Sequence, residues 1–260
     1  MSKNLRFDFY VVLGIVLLSI PTILHFEVKP LTASLYLFAL PTLYLFVKRR
    51  KPYKELLLGT LLIGSGFGLI FDIIATVSGA WFIPDNQLVF NYRIFGFWPV
   101  DEIIWFFLWA LFILAFYEHF YEKDRRDKLS KRFRYIAVPI LISATLVLWV
   151  AVVDHSRLAI NYAYSLILTP AIIPIWYVFS KRPNLIPKFL KTGAFFFLVF
   201  LAHELTALKL GQWQFLGTSQ YIGWVELFGL RFPFEELLLW MGLSPFIVLA
   251  IYEGFVDNDK

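Results

Sequence analysis

Apolar residues fill the chain in long runs, each near the roughly 20 residues that a helix needs to cross a hydrocarbon core. The runs fall at Phe7–Phe26, Leu31–Val47, Glu55–Phe82, Pro99–Tyr117, Tyr135–Val153, Leu158–Ser180, Thr192–Trp213 and Pro233–Tyr252, with short polar, basic or Pro/Gly-bearing stretches between them. The pattern predicts an all-α membrane protein of about eight transmembrane helices. The second run is short and contains Pro41, so seven spans and a re-entrant segment also fit it.

Composition agrees with the pattern: 59% hydrophobic residues and a mean hydropathy of +0.69 exclude an ordinary soluble domain. The basic residues then set an orientation, because short cytoplasmic loops are enriched in Lys and Arg. With the N-terminus inside, all but five of the 24 Lys and Arg lie in the cytoplasm, including the Lys48–Lys54 cluster, the Lys123–Arg134 link and Lys260. Lys29, Arg93, Arg157, Lys209 and Arg231 are the five exceptions. A multi-pass protein of the cell membrane, with both termini cytoplasmic and the lipid bilayer as a partner, is expected. The net charge of +5 resides in these loops and not on a soluble basic module, so nucleic acid is not an expected partner. The absence of cysteine removes disulfides, thiolate metal sites and cysteine nucleophiles. Leu18-Ser-Ile-Pro-Thr22 provides no small-residue cleavage site, and the first run reads as a retained helix.

One pattern is written twice. An acid inside an apolar run is followed by Gly-x-Trp and then by Pro-x-acid-Glu opening the next run. The first copy is Asp72, Gly79, Trp81, Pro99, Asp101 and Glu102; the second is Glu204, Gly211, Trp213, Pro233, Glu235 and Glu236. The copies are offset by 132 positions at the first three residues and by 134 at the last three. This predicts a parallel 4+4 repeat, residues 1–127 and 128–260, because four spans per half return the chain to the same side; inverted repeats need an odd number. All six carboxyls then fall in one layer, where ionisable groups usually mark function.

Helical spacing places Glu102, Trp105, Phe106 and Trp109 on one face, Glu236 with Trp240 on another, and Ser65, Gly68 and Asp72 on a third. Each motif also has a plain structural reading. Pro-x-acid-Glu makes a good helix start, and the Gly-x-Trp tryptophans suit an interfacial aromatic belt, which is the reading favoured for Trp81 and Trp213. The string GSGFG at 64–68 follows no strand and reads as helix packing. His203 neighbours Glu204 and could share its proton or be a buried structural histidine. No two histidines have the spacing of a helical zinc site. Asn161, Tyr162 and Tyr164 could line a cavity or pair between helices.

The segments GFWPVDEIIWFFLWALFILAFYE and GLRFPFEELLLWMGLSPFIVLAIYE, with the upstream acids and Gly-x-Trp, resemble the integral-membrane lycopene cyclases, which occur as paired bacterial subunits and as fused archaeal and fungal repeats. The resemblance is specific over the third, fourth, seventh and eighth runs. Asp101 stands where the family pattern has glutamate. The resemblance implies a cofactor-free and metal-free acid/base isomerisation of a linear carotenoid, lycopene or a similar one, to a ring-ended product. Glu102 and Glu236 would be the principal acid/base residues, with Asp101, Glu235, Asp72 and Glu204 completing the cluster. Trp105, Trp109, Trp240 and His203 would bind substrate. Clustered carboxyls in a dry site do not all ionise, so one can remain a proton donor.

Two other classes fit some of these residues. A membrane prenyltransferase of the ubiquinone-biosynthesis type needs aspartate-rich magnesium motifs, and only Asp72 and the adjacent Asp101-Glu102 are present. A proton-coupled transporter uses membrane carboxylates equally well, though not the aromatic load beside them. A Glu-Glu-x-x-x-Arg protease motif fails at Trp240.

Overall fold

The computed structural model describes residues 3–48, 54–122, 128–130 and 133–257. Among these are eight helices long and apolar enough to cross a membrane: α1 (Lys3–Phe26), α2 (Pro30–Lys48), α3 (Lys54–Val77), α4 (Val100–Glu122), α5 (Phe133–Leu158), α6 (Ala163–Lys181), α7 (Pro183–Lys209) and α8 (Glu236–Gly254). The chain is an all-α, multi-pass membrane protein. Its second run forms a helix of 19 residues and not a re-entrant segment. Much of the Lys48–Lys54 cluster, much of the Lys123–Arg134 link with the expected boundary at residue 127, and Lys260 lie outside the described residues.

Four of the described helices contain widened π turns, at Leu35–Ala39 in α2, Leu61–Phe67 in α3, Glu118–Glu122 in α4 and Glu236–Leu243 in α8. Two of them precede a proline, Pro41 and Pro245. Proline has no N–H for the carbonyl four residues back, and its ring clashes with that carbonyl; a wider turn relieves both. In α3 the turn is rich in glycine instead. A Cβ on Gly64 would lie 2.7 Å from the Phe106 carbonyl oxygen, and one on Gly68 would lie 2.7 Å from the Phe106 ring. Gly64 and Gly68 therefore bring α3 against α4, and the expected Ser65–Gly68–Asp72 stripe is corrected by one residue, because the π turn holds an extra residue that regular 3.6-residue counting omits.

Helices α3 and α7 end alike. Gly79 (φ +71°) and Gly211 (φ +62°) adopt the left-handed conformation that suits glycine. Ala80 N–H then bonds to Ala75 C=O and Gln212 N–H to Ala207 C=O, both at 2.9 Å, which closes each helix end. Three residues beyond each glycine, Phe82 and Gln214 exchange two backbone hydrogen bonds of 2.9 Å. Each loop continues into a hairpin, β1 (Arg93–Ile94) with β2 (Trp98–Pro99) and, later, β4 (Trp224–Leu227) with β5 (Leu230–Pro233). Phe228 and Gly229, both at positive φ, form the two-residue turn of the second hairpin. A short β3 (Lys128–Leu129) pairs with β6 (Val256–Asp257).

Helices α4 and α8 are the most buried and pack against each other; α1 and α5 are the least buried. Leu141, Leu146, Trp149 and Val153 on α5 are all more than half exposed, as a lipid-facing surface requires. At the bundle's centre the Trp109 and Trp240 rings stack 5.0 Å apart. Away from the hairpins, Tyr117 donates to Glu253 at 2.6 Å and Tyr252 to Glu118 at 2.8 Å. Arg182 bonds Glu253 at 3.2 Å, Lys188 bonds Glu122, and His119 meets Asp8 at 3.0 Å, so the buried charges at this end are paired.

Candidate active site

Each hairpin ends on the proline of the duplicated motif, and the residues after it turn into α4 or α8. Pro99 holds φ −66° and ψ 134°, an extended conformation just ahead of α4, and Asp101 and Glu102 occupy the first helical turn. Consecutive helical residues point about 100° apart, so the two acids of each motif serve different ends. Asp101 turns to the loop and accepts from Val89 N–H at 2.6 Å and Phe90 N–H at 3.2 Å. Glu235 likewise accepts from Ile222 N–H. Both carboxyls anchor backbone. Glu102 and Glu236 turn to the interior.

The interior carboxyls form two pairs. Asp72 on α3 accepts from Trp98 Nε1 at 2.5 Å and from Thr76 at 3.4 Å, and lies within reach of Glu102. Glu102 accepts from Trp81 Nε1 at 2.9 Å. Glu204 on α7 accepts from Trp213 Nε1 at 3.0 Å and faces Glu236, which interacts with the Tyr164 hydroxyl. The pairs differ for a traceable reason. Phe232 stands two residues before the second motif's Phe234, in the register of Trp98, and has no N–H to offer. Trp213 serves the α7 acid, and Glu236 turns to a tyrosine. None of the six acids is more than 7% exposed.

Glu102, Glu204 and Glu236 share one cavity. Its walls are Trp105 and Phe106 of α4, Phe200 and His203 of α7, Trp240 and Met241 of α8, Tyr164 of α6 and Pro30 and Leu31 of α2; Trp81, Ile83, Trp213 and Phe215 close the hairpin end. Measured at the centres of water-sized spheres, its clear space is about 80 Å³. One water needs roughly 10–15 Å³ on that measure, so the space suits an organic group. The aromatic rings are tightly associated: Trp105 lies 5.7 Å from Trp240, and Phe71 stacks on Trp240 at 5.4 Å.

The expected site residues divide accordingly. Glu102, Glu204, Glu236, Trp105, Trp240 and His203 line the cavity, as does Asp101 at its edge with its carboxyl committed to the loop. Asp72 and Glu235 lie outside the lining, and Trp109 stacks behind Trp105 and Trp240. His203 packs on Phe38 at 5.3 Å and Trp213 at 5.2 Å, and its Nε2 has no partner. No hydrogen bond joins it to Glu204, which accepts from Trp213.

The belt reading of Trp81 and Trp213 requires correction. Their rings line the cavity and their N–H groups hold two of the acids, since the left-handed glycines fold the chain back over the bundle. Tyr164 is the other functional residue that periodicity underrated. It follows a helix start with Tyr162 at φ +57°, a non-glycine turn without a sequence signature. Tyr221, in the loop before β4, bonds the Ala80 carbonyl. Burial, and then the Glu236 and Glu235 carboxyls, hold the Tyr221 phenol above its ordinary range, so it remains a hydroxyl donor at physiological pH.

Comparison with protein-family models, curated proteins and solved structures finds no match to this chain.

Proposed function

We propose that the chain is a lycopene cyclase, an intramolecular isomerase that closes the end group of a linear carotenoid by acid/base chemistry. One observation carries the reading: two carboxyl pairs, Asp72–Glu102 and Glu204–Glu236, flank a single cavity walled by tryptophan and phenylalanine. The resemblance of the Pro-x-acid-Glu segments supplies the reaction class. The chain's place in a bilayer supplies an apolar substrate, since a linear carotenoid rod is comparable in length to the ~30 Å hydrocarbon core.

The assigned roles follow from the hydrogen bonds. Trp98 and Thr76 both donate to Asp72 and so suit it as a carboxylate. Two carboxylates do not both ionise at such proximity, so Glu102 carries the pair's proton and delivers it to the terminal alkene. The C–H bond formed leaves a tertiary cation, which the neighbouring double bond attacks to close the ring. Glu236, oriented by Tyr164, takes a proton from the ring carbon beside the new cation. One proton enters and one leaves, with no net oxidation. The faces of Trp105 and Trp240 stabilise the cation, each desolvated contact contributing roughly 2 kcal/mol. Asp101 and Glu235 hold the loops that roof the cavity.

The reading extends to placement. The matched glycine turns, hairpins and backbone-anchoring acids support a parallel 4+4 repeat, and the loop charges support residence in the cell membrane with both termini cytoplasmic. Expression in a bacterium that accumulates lycopene, with chromatography of the pigments, is the deciding experiment. Ring-ended carotenoids are expected; unchanged lycopene beside well-expressed membrane protein would overturn the proposal.

A further inference from the structure

Besides Glu102 Oε2, whose carboxyl is paired with Asp72, three polar atoms of the cavity-lining side chains have no hydrogen-bond partner: Trp105 Nε1, His203 Nε2 and Glu236 Oε2. His203 and Glu236 are only 4% and 5% exposed, so bulk water does not satisfy them. Within the same cavity the Trp81 and Trp213 indoles are both paired, which makes the remaining three conspicuous. A buried donor or acceptor without a partner carries its full desolvation cost. A hydrocarbon ligand, however well it fits, leaves all three in that condition.

The types of the three atoms define what would meet them. Trp105 offers a donor only, the Glu236 oxygen accepts when ionised, and the His203 nitrogen takes either role according to tautomer. A carbonyl only accepts and leaves Glu236 unmet. A carboxylate is repelled by Glu204 and Glu236, and an ammonium has no acceptor for the indole. A hydroxyl does both: it accepts from Trp105 and donates to Glu236 or His203.

We propose that the cavity takes linear polyene isoprenoids whose inserted end carries a hydroxyl group, with Trp105 and His203 as the residues that select it. The inference rests on the reading of this cavity as an end-group cyclisation site; a hydroxylated end has no terminal alkene to protonate, so there Glu102 would protonate the hydroxyl, the C–O bond would break with loss of water, and the same tertiary cation would close the ring and give a proton to Glu236.

The test uses the purified full-length protein in detergent and two ligands, lycopene and its derivative bearing a tertiary hydroxyl at one chain end. Affinities are read from quenching of tryptophan fluorescence, and conversion of lycopene is followed by chromatography in parallel. The hydroxylated ligand is expected to bind about tenfold tighter or more, the worth of a buried hydrogen bond to a charged or otherwise unmet group. Trp105→Phe and His203→Phe should each bring the ratio of the two affinities, measured on the same variant, most of the way back to one. Equal affinity of the two ligands for the unsubstituted protein overturns the inference whether or not the variants fold, and is the result expected if water alone pairs these atoms. Lycopene bound and cyclised without a hydroxyl preference overturns this inference and leaves the cyclase reading standing. Binding of neither ligand overturns both.

Discussion

Tyr117 on α4 donates its hydroxyl to Glu253 on α8 across 2.6 Å, and the bond is returned one residue along each helix, from Tyr252 to Glu118 across 2.8 Å. The two Tyr-Glu dipeptides thus clasp α4 to α8 at the end away from the cavity. At the cavity end the Phe82–Gln214 backbone exchange joins the loops that follow α3 and α7. The catalytic glutamates of the proposed mechanism sit on α4 and α8, so the clasp fixes the distance across which a proton and a cation would be handled.

The tyrosine clasp should therefore be a stability feature and not a catalytic one. Tyr117→Phe and Tyr252→Phe each remove one hydroxyl from a buried bond to a carboxyl, which costs about 1.5–3 kcal/mol. Each variant is expected to unfold earlier in a denaturant titration of the detergent-solubilised protein, with little change in pigment conversion by the folded fraction. A large fall in conversion with unchanged stability would contradict the assignment.

Gly64 tests how closely α3 must approach α4. Its added Cβ would lie 2.7 Å from the Phe106 carbonyl oxygen and 3.1 Å from the Phe107 Cα, both backbone atoms that cannot swing aside. Gly64→Ala is expected to destabilise by about 1–3 kcal/mol, the usual cost of overpacking, and to disturb the Asp72–Glu102 pair that spans the two helices. Gly14, with nothing within 4 Å of its Cβ position, is the matched control. Thermal unfolding of both alanine variants decides the point.

These features mark where sequence reasoning succeeds and where it stops. Hydropathy located the helices because a bilayer tolerates few alternatives to a long apolar helix. The ends are less legible: hydropathy carries the third run to Phe82, but the helix stops at Val77 because Gly79 takes a left-handed turn. Spacing placed Glu102, Trp105 and Phe106 on one face of a regular helix and failed for Ser65, where a π turn shifts the face. The loop-borne Trp81 and Trp213 look like belt residues in the sequence because tryptophan is enriched at membrane interfaces. Nothing in their local sequence tells that a left-handed glycine aims them inward. Glu118, an acid at a helix end with no local mark of importance, is fully buried and accepts from Tyr252.

Orientation is open to direct measurement. Reporter fusions after Lys181 and Arg134 should report the cytoplasm, and fusions within residues 85–92 or 217–219 the other side, as the distribution of Lys and Arg requires. A fusion at Lys191, inside α7, would interrupt a span and is avoided. The reverse pattern at either pair would place the cavity in the opposite leaflet.

The indole hydrogen bonds should be unequal in their catalytic weight. Trp81→Phe takes the donor from Glu102, the proposed proton donor, whereas Trp213→Phe takes it from Glu204, which only neighbours the proposed base. A hydrogen bond to the carboxylate that Glu102 becomes as it gives up its proton is worth about 1.5–3 kcal/mol, or roughly 10- to 100-fold in rate. The larger fall in turnover is expected for Trp81→Phe. An equal or reversed effect would exchange the roles of the two carboxyl pairs.

The glutamates themselves carry the decisive test. Glu102→Gln and Glu236→Gln retain size and the ability to meet Trp81 or Tyr164, but neither amide can deliver or accept the proton that the reaction moves. Turnover should fall by about 10²–10⁴, the usual contribution of a positioned acid or base, with expression and unfolding close to those of the parent protein. Asp101→Asn should behave differently, because its carboxyl is spent on the Val89 and Phe90 amides: an amide oxygen replaces part of that bonding, and the loss should appear in stability and loop order before it appears in turnover. Glu226→Ala, an exposed change on β4, should leave both unaltered. If both glutamine variants cyclise lycopene at near-normal rates in membranes, the Pro-x-acid-Glu motif is reduced to a helix start, and the proton must come from Asp72, Glu204 or His203.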